Sequence, residues 1–401
     1  MIHRDDRTSM RVLIAGGGVA ALETALALHD LARERVDLTL VAPDEHFVLR
    51  PMLVAQPFAK GRASTVPLLR VAAETDARLL HHAVASVDTA EHHLLTTDGE
   101  RLPYDALVLA LGARPATVYR RSLTFSAACD PTDYNDLLRD LEEGHCDRLT
   151  FVVPPGATWS LPLYELALMT AKQVRGMGIE SLEIHFVTPE EHPLDLFGLA
   201  AAADVRRLLG RAGIHLHTGV RARQRQDGAL LLEPTDQVLD RTRVVALPEL
   251  KGPGLPGLPS DEHGFVPVDD FGRVRGVDGV YAAGDMTARP VKQGGLAAQQ
   301  ADAIAEMLAH EAGADIEPTP YRPVLRGTLL TGAEDHHLRD TEHGVGVATS
   351  ELMWWPPGKV AGAYLAPYLA GEVGERLMDL PPHRASRPID LPLPGMEAHR
   401  V

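Results

Sequence analysis

Apolar positions along the chain fall into two alternating rhythms. Arg11 to Ala15 (RVLIA) is a short apolar run, and Gly16-Gly17-Gly18 follows at once. From Val19 to Leu31 the residues Leu22, Leu26 and Leu28, with several alanines, recur at helical spacing. Val36 to Val41 (VDLTLV) is strand-like again. Strand, tight glycine turn, helix and strand open a right-handed parallel unit. Further strand-like runs are Ala106 to Leu111, Thr150 to Val153, Glu183 to Val187 and Val244 to Leu247. Helical stretches around Asp133 to Leu141, Leu163 to Arg175 and Ala200 to Arg211 lie between them. This alternation predicts α/β layers built on parallel sheets. The Gly/Pro-dense stretch Lys251 to Pro259 reads as a crossover, and the chain from Pro381 onward as an extended tail.

Composition narrows the classes of function. The 401 residues exceed one ordinary domain, and 45% apolar content excludes wholesale disorder. A formal net charge of −16 opposes non-specific nucleic-acid binding. Two cysteines, Cys129 and Cys146, make no disulfide framework. The N-terminal residues lack the apolar core of a secretory signal and no run approaches a membrane span, so a cytoplasmic location is expected. The histidine doublets His81-His82, His92-His93 and His336-His337 would point to opposite strand faces, so no metal site is expected.

Gly16, Gly18 and Ala21 fit G-x-G-x-x-G/A between a strand and a helix. Small residues there allow a tight turn, backbone approach to a pyrophosphate, and close helix packing. The usual acidic partner at the end of the second strand is displaced. Ala42 holds that position, and Asp44 and Glu45 follow as candidates for the ribose contact.

Two later motifs, LVLALGARP from Leu107 to Pro115 and GVYAAGD from Gly279 to Asp285, extend this pattern. With them the chain resembles the FAD-dependent pyridine nucleotide–disulfide oxidoreductases, within which it is similar to sulfide:quinone oxidoreductases and type II NADH:quinone oxidoreductases. The resemblance spans about residues 11 to 310. It implies an α/β fold of two Rossmann-like dinucleotide-binding domains with a C-terminal cap. The FAD domain would comprise residues 10–118 and 249–318, split by an inserted NAD-like domain at 119–248. A C-terminal segment would cover 319–401.

The resemblance also assigns roles. Gly16, Gly18 and Ala21 would hold the FAD pyrophosphate, and Gly112 with Pro115 would mark the exit from the first half of the FAD domain. Gly284 and Asp285 would meet the ribityl chain. Lys292 and Gln293 precede an alanine-rich helix whose N-terminus would face the flavin's pyrimidine end. Glu165 would approach the acceptor's pocket and move a proton, although a glutamate favouring a helix dipole is the simpler alternative. Tyr164 and Trp159 could line the flavin face or belong to the core.

In relatives that use NADH, the glycine turn is repeated in the inserted domain. Here VPPGATWSLPLYELA, Val153 to Ala167, places Thr158, Trp159, Ser160 and Leu163 at the glycine positions. Side chains of that size predict that NAD(P)H does not bind in the standard way. No cysteine stands in this loop or after it, so oxidation of sulfide through a cysteine persulfide is not expected either. The aromatic stretch Leu352 to Leu369 could sit at a membrane interface, but packing over the flavin or a homodimer contact explains it better.

The expected function is an FAD-dependent oxidoreductase. It would carry electrons from a small-molecule or protein donor to a quinone or other redox partner. The alternatives are an NAD(P)H:quinone-type reductase with an atypical nucleotide site and a non-catalytic flavin-binding scaffold or redox sensor.

Overall fold

The computed structural model describes residues 9–61, 63–126, 131–340, 346–372 and 389–390. Cys129 and nearly all of the Pro381-onward tail lie outside them.

The first sheet is parallel throughout. Its strand order is Val280–Ala282, Ala106–Leu109, Met10–Ala15, Val36–Val41, Arg78–Leu80. The last strand in sequence thus joins the first ones across an insertion of more than a hundred residues. Against this sheet pack two alanine-rich helices, Val19–Leu31 and Gly294–Glu311. Ala21, Ala25, Ala301 and Ala305 are buried at 0–1% exposure, and their missing bulk lets the two backbones approach closely. Leu22, Leu28 and Ile304, also buried, supply apolar burial worth about 1.5–3 kcal/mol for each large side chain.

The inserted unit has its own parallel sheet, ordered Leu123–Thr124, Arg243–Ala246, Arg148–Val152, Glu183–Val187, Ile214–His217. The helix Leu161–Gly176 covers one face, where Tyr164 stacks on Phe186 at 4.1 Å. The chain enters and leaves this unit through two short strands, Arg114–Ala116 and Glu249–Lys251, which pair antiparallel. The Gly/Pro-dense crossover read from sequence therefore begins in a strand at Lys251 and is irregular from Gly252 on.

After the second half of the first domain come three antiparallel strands, Arg326–Leu329, His336–Arg339 and Val347–Thr349. The aromatic stretch then folds back onto the molecule. Trp354 is 1% exposed, Leu365 is wholly buried, and Tyr368 donates to Glu74 at 2.6 Å. Tyr364 and Tyr368 pack, half-buried, against the core of the first sheet and its helices. Among the described residues no helix is long and apolar enough to cross a membrane.

Two histidine doublets depart from the strand reading. His81 and His82 follow the strand Arg78–Leu80, and His82 faces Asp98 and Glu100. His92 sits in a turn at φ 51° and stacks on Tyr104, so only His93 of that pair is in a strand. Among the described residues no group of three or more His, Cys, Asp or Glu side chains is placed to hold a metal ion.

Candidate functional site

A cavity of about 870 Å³ opens at the carboxyl ends of the first sheet's strands, bounded by the inserted unit and the C-terminal segment. That is where open α/β sheets bind ligands, because loops and helix N-termini converge there.

The glycine turn builds its floor. Gly16 has φ +131°, and a Cβ there would lie 2.3 Å from the Ala110 carbonyl oxygen. Only glycine allows this approach. Gly18 caps the helix Val19–Leu31 with no side-chain hydrogen bond, and its missing Cβ would meet open space. The first N–H groups of the helix thus face the cavity, a setting suited to a pyrophosphate. Gly18 lines the cavity, whereas Gly16 and Ala21 lie behind it as supports. Of the two acidic candidates Asp44 lines the cavity, and Glu45, whose backbone carbonyl accepts from Leu68 N–H, does not. Ala42 is wholly buried, which leaves Asp44 as the acidic group nearest the expected ribose position.

Gly112 and Gly284 both line the cavity at φ +71° and +75°. Asp285 also lines it, and its carboxylate takes no hydrogen bond from the described residues. Desolvation raises its pKa, against the pull of Lys292 and Arg50. An unpartnered carboxylate of this kind suits a ligand hydroxyl. Lys292 is buried rather than solvated. Its ammonium donates to the carbonyls of Thr287 and Arg289 (2.8 Å to the latter) and lies 3.8 Å from the centre of the Phe265 ring. Burial brings its pKa down to about 8, opposed by Asp285 and Asp261. Gln293 caps the helix Gly294–Glu311: its Oε1 accepts from Leu296 N–H at 2.7 Å and its Nε2 donates to the Arg326 carbonyl. The amide is thereby committed to aiming the helix N-terminus at the cavity.

Glu165 reaches the opposite wall from the helix Leu161–Gly176. It is wholly buried. Its Oε1 accepts from Leu330 N–H at 2.8 Å and from the Lys359 ammonium, while its Oε2 has no partner. Burial raises its pKa and Lys359 opposes that shift. Lys359 lies 194 positions away in sequence, on the aromatic stretch, and no local pattern links the two. The only available hint was lysine scarcity, five in the whole chain.

Tyr164 is core, not cavity wall. Its hydroxyl donates to Glu190 at 2.6 Å, and Ser160 and Thr188 donate to the same carboxylate at 2.8 and 2.7 Å. Glu190 follows the strand Glu183–Val187, the next one after the helix Leu161–Gly176, where a nucleotide ribose is commonly gripped. Three hydroxyls already occupy it. Trp159 does line the cavity, edge-on to Phe197. Cys146 does not. Its thiol donates to the Arg148 carbonyl at 2.9 Å, at the amino end of the inserted sheet's central strand.

Residues 10–305 match the family model described as pyridine nucleotide-disulphide oxidoreductase. The chain belongs to that family, whose members are FAD-dependent oxidoreductases, and its cofactor is FAD. Among curated relatives, a sulfide-quinone reductase of Aquifex aeolicus (strain VF5) is 25% identical over 49% of this chain and 47% of its own length. An external alternative NAD(P)H-ubiquinone oxidoreductase of Arabidopsis thaliana mitochondria is 23% identical over 69% of this chain and 54% of its own. The chain thus spans about half the length of the curated relatives it matches. The solved sulfide:quinone oxidoreductase of Aquifex aeolicus shares the fold, with a TM-score of 0.77 at 18% identity, covering 85% of this chain and 87% of that one.

Proposed function

We propose that the chain passes electrons from a donor other than NAD(P)H, through FAD, to a quinone or a similar redox acceptor. In this reading Glu165 and Lys359 manage the accompanying proton. The observation that carries it is the Glu165 carboxylate, buried in the cavity wall with one oxygen unpartnered and the other against Lys359.

Bound FAD supplies electrons in pairs, which the protein itself has no group to do. The chain's residues do the rest. Gly18 and the N-terminus of the helix Val19–Leu31 would hold the pyrophosphate, and Asp285 would take a hydroxyl of the ribityl chain. The N-terminus of the helix Gly294–Glu311 favours negative charge at the flavin's polar end. A quinone that accepts a hydride equivalent needs one further proton on its other oxygen. Glu165 is placed to give that proton, since burial raises its pKa. Once the proton is given, the carboxylate is left facing the Lys359 ammonium, which stabilises it.

Against NAD(P)H as donor stand Trp159 at a glycine position and the occupation of Glu190 by Ser160, Tyr164 and Thr188. Against a cysteine relay stands the cavity's lining, which among the described residues holds no sulfur.

Holoprotein reduced by light and mixed anaerobically with decylubiquinone should recover its oxidised flavin band rapidly. Glu165→Gln should slow that recovery by roughly 100-fold, the usual loss with a general acid. Mixing the oxidised protein with NADH or NADPH should leave the flavin oxidised. Recovery at wild-type rate in E165Q would refute the acid role. Rapid bleaching by micromolar nucleotide would instead favour the NAD(P)H:quinone-type alternative.

A further inference from the structure

We infer that Thr328, held by His337, is the hydrogen-bond donor that seats the acceptor's second oxygen, the one that Glu165 does not serve. The ligand class this selects is a ring with two carbonyl oxygens on opposite sides. The inference rests on a quinone-type acceptor and on Glu165 as its acid.

The strand Arg326–Leu329 runs between two groups already placed at the cavity. At one end the Arg326 carbonyl accepts from Gln293, whose side chain caps the helix aimed at the flavin. Just past the other end Leu330 N–H donates to Glu165 Oε1 at 2.8 Å. Between them Gly327 and Thr328 line the cavity. Gly327 gives only backbone there, and a Cβ on it would lie 2.6 Å from the Phe197 ring. Thr328 is therefore the side chain this strand contributes to the lining. Strand residues rise about 3.4 Å each, so Thr328 stands roughly 7 Å along the chain from Leu330, on which Glu165 rests. A quinone ring bridges such a gap with an oxygen at either end.

Behind Thr328 stands His337. The two are register partners in the antiparallel pair, which puts both side chains on one face. His337 Nδ1 lies 3.5 Å from Thr328 Oγ1. The histidine is 7% exposed and is not part of the cavity's lining, so the threonine stands between it and the acceptor. Trp354, itself buried, meets the imidazole edge-on at 5.1 Å and fixes its plane. Burial lowers the pKa of His337, with Asp335 opposing the shift and His336 assisting it. A neutral imidazole carries a single N–H. With that hydrogen on Nδ1 it donates to Thr328 Oγ1, which leaves the hydroxyl's own hydrogen to donate into the cavity. Of the cavity's other donors, Gln293, Lys292 and Lys359 are committed to protein oxygens.

Neither an electron nor a proton leaves Thr328. The acceptor takes a hydride equivalent from the reduced flavin and one proton from Glu165, which completes its two-electron reduction. The threonine's hydrogen bond holds the opposite oxygen and strengthens as negative charge gathers on it.

The test uses full-length holoprotein, reduced by light and mixed anaerobically with decylubiquinone over a range of concentrations. Thr328→Val keeps the shape of the side chain and removes its hydroxyl. It should keep FAD bound and raise the half-saturating quinone concentration by about tenfold, the scale of one lost hydrogen bond, with a smaller loss in the limiting rate. Thr328→Ser should restore the wild-type value. His337→Phe, which preserves an aromatic ring against Trp354, should raise half-saturation by about threefold and add nothing in the T328V background. Non-additivity is what a hydroxyl aimed by the histidine requires, whereas independent packing defects would sum. Unchanged half-saturation in T328V or in H337F overturns the inference, and so does a T328V defect that T328S fails to repair. If T328V loses its flavin, H337F against wild type decides alone. If E165Q is slow while T328V matches wild type, the seat at Thr328 is wrong and the acid role stands. If decylubiquinone leaves the wild-type flavin reduced, the quinone reading fails and the inference with it.

Discussion

Gly16 and Gly18 stand two positions apart, yet different forces require them. At Gly16 the constraint is internal, since a side chain would collide with the Ala110 carbonyl and the backbone is held at φ +131°. At Gly18 the space is open, and the constraint is the ligand that must come close. Gly16→Ala should therefore destabilise the fold itself, by about 1–3 kcal/mol or more from backbone strain alone. Gly18→Val should leave the fold intact and strip FAD from the purified protein. Thermal melting and the flavin absorbance of the two variants check this. A G18V protein that keeps its full flavin content would remove Gly18 from the cradle. Both glycines were legible from the motif, but their separate duties were not, because a motif records spacing and not what each missing Cβ would touch.

Among the elements, the strands of the inserted sheet show how register creates chemistry that a linear reading misses. His185 pairs with His215 in register, and His217 lies two positions further along the same face. The rings of His185 and His215 stack at 5.0 Å, and His185 Nδ1 lies 3.0 Å from His217 Nε2. Burial first, then the neighbouring His217 and His215, push the His185 pKa down to about 4. The folded state therefore holds His185 neutral where the unfolded chain would take a proton. The stability this gives is present above the ordinary value near 6.5 and is lost as pH falls towards 4. His185→Phe should lose less stability than wild type on acidification from about pH 7 to about pH 5. The expected difference is about 1–2 kcal/mol after allowing for solvent screening. Melting curves at the two pH values decide it, and parallel losses would show that the histidine face does not govern acid sensitivity. Three of these strands were plain in the apolar runs, whereas Leu123–Thr124 and Ile214–His217, the strand that carries two of the histidines, were not read from the sequence. Strand neighbours were not legible either, since pairing between distant strands leaves no mark on local periodicity.

For the molecule as a whole, the C-terminal segment is what closes the site. It is fastened by Glu23, a wholly buried residue of the helix Val19–Leu31 that accepts from Tyr364 N–H and Leu365 N–H, each at 2.8 Å. Contact is close enough that a Cβ at Gly362 would lie 2.3 Å from a Glu23 oxygen. Because Lys359 rides on the same segment, this fastening and the acid's counter-ion are mechanically linked. Glu23→Ala leaves two buried N–H groups unpaired, at a cost of about 1–3 kcal/mol each. It should expose residues 346–372 to protease and slow quinone-driven flavin recovery while FAD stays bound. Unchanged cleavage in that region would show that the segment is held by packing alone.

Local information decided a great deal. The alternation of apolar runs and helical spacing determined the parallel α/β layers. The three motifs around Gly16, Gly112 and Asp285 determined the glycine turns and helix start that line the cavity, because turns, helix starts and positive φ are short-range matters. The tertiary structure decided the rest. It pairs Glu165 with Lys359 across 194 residues, occupies Glu190 with three hydroxyls, buries Lys292, and turns the aromatic stretch inward. These outcomes depend on which distant groups share a low-dielectric interior, and that is set by how the layers pack.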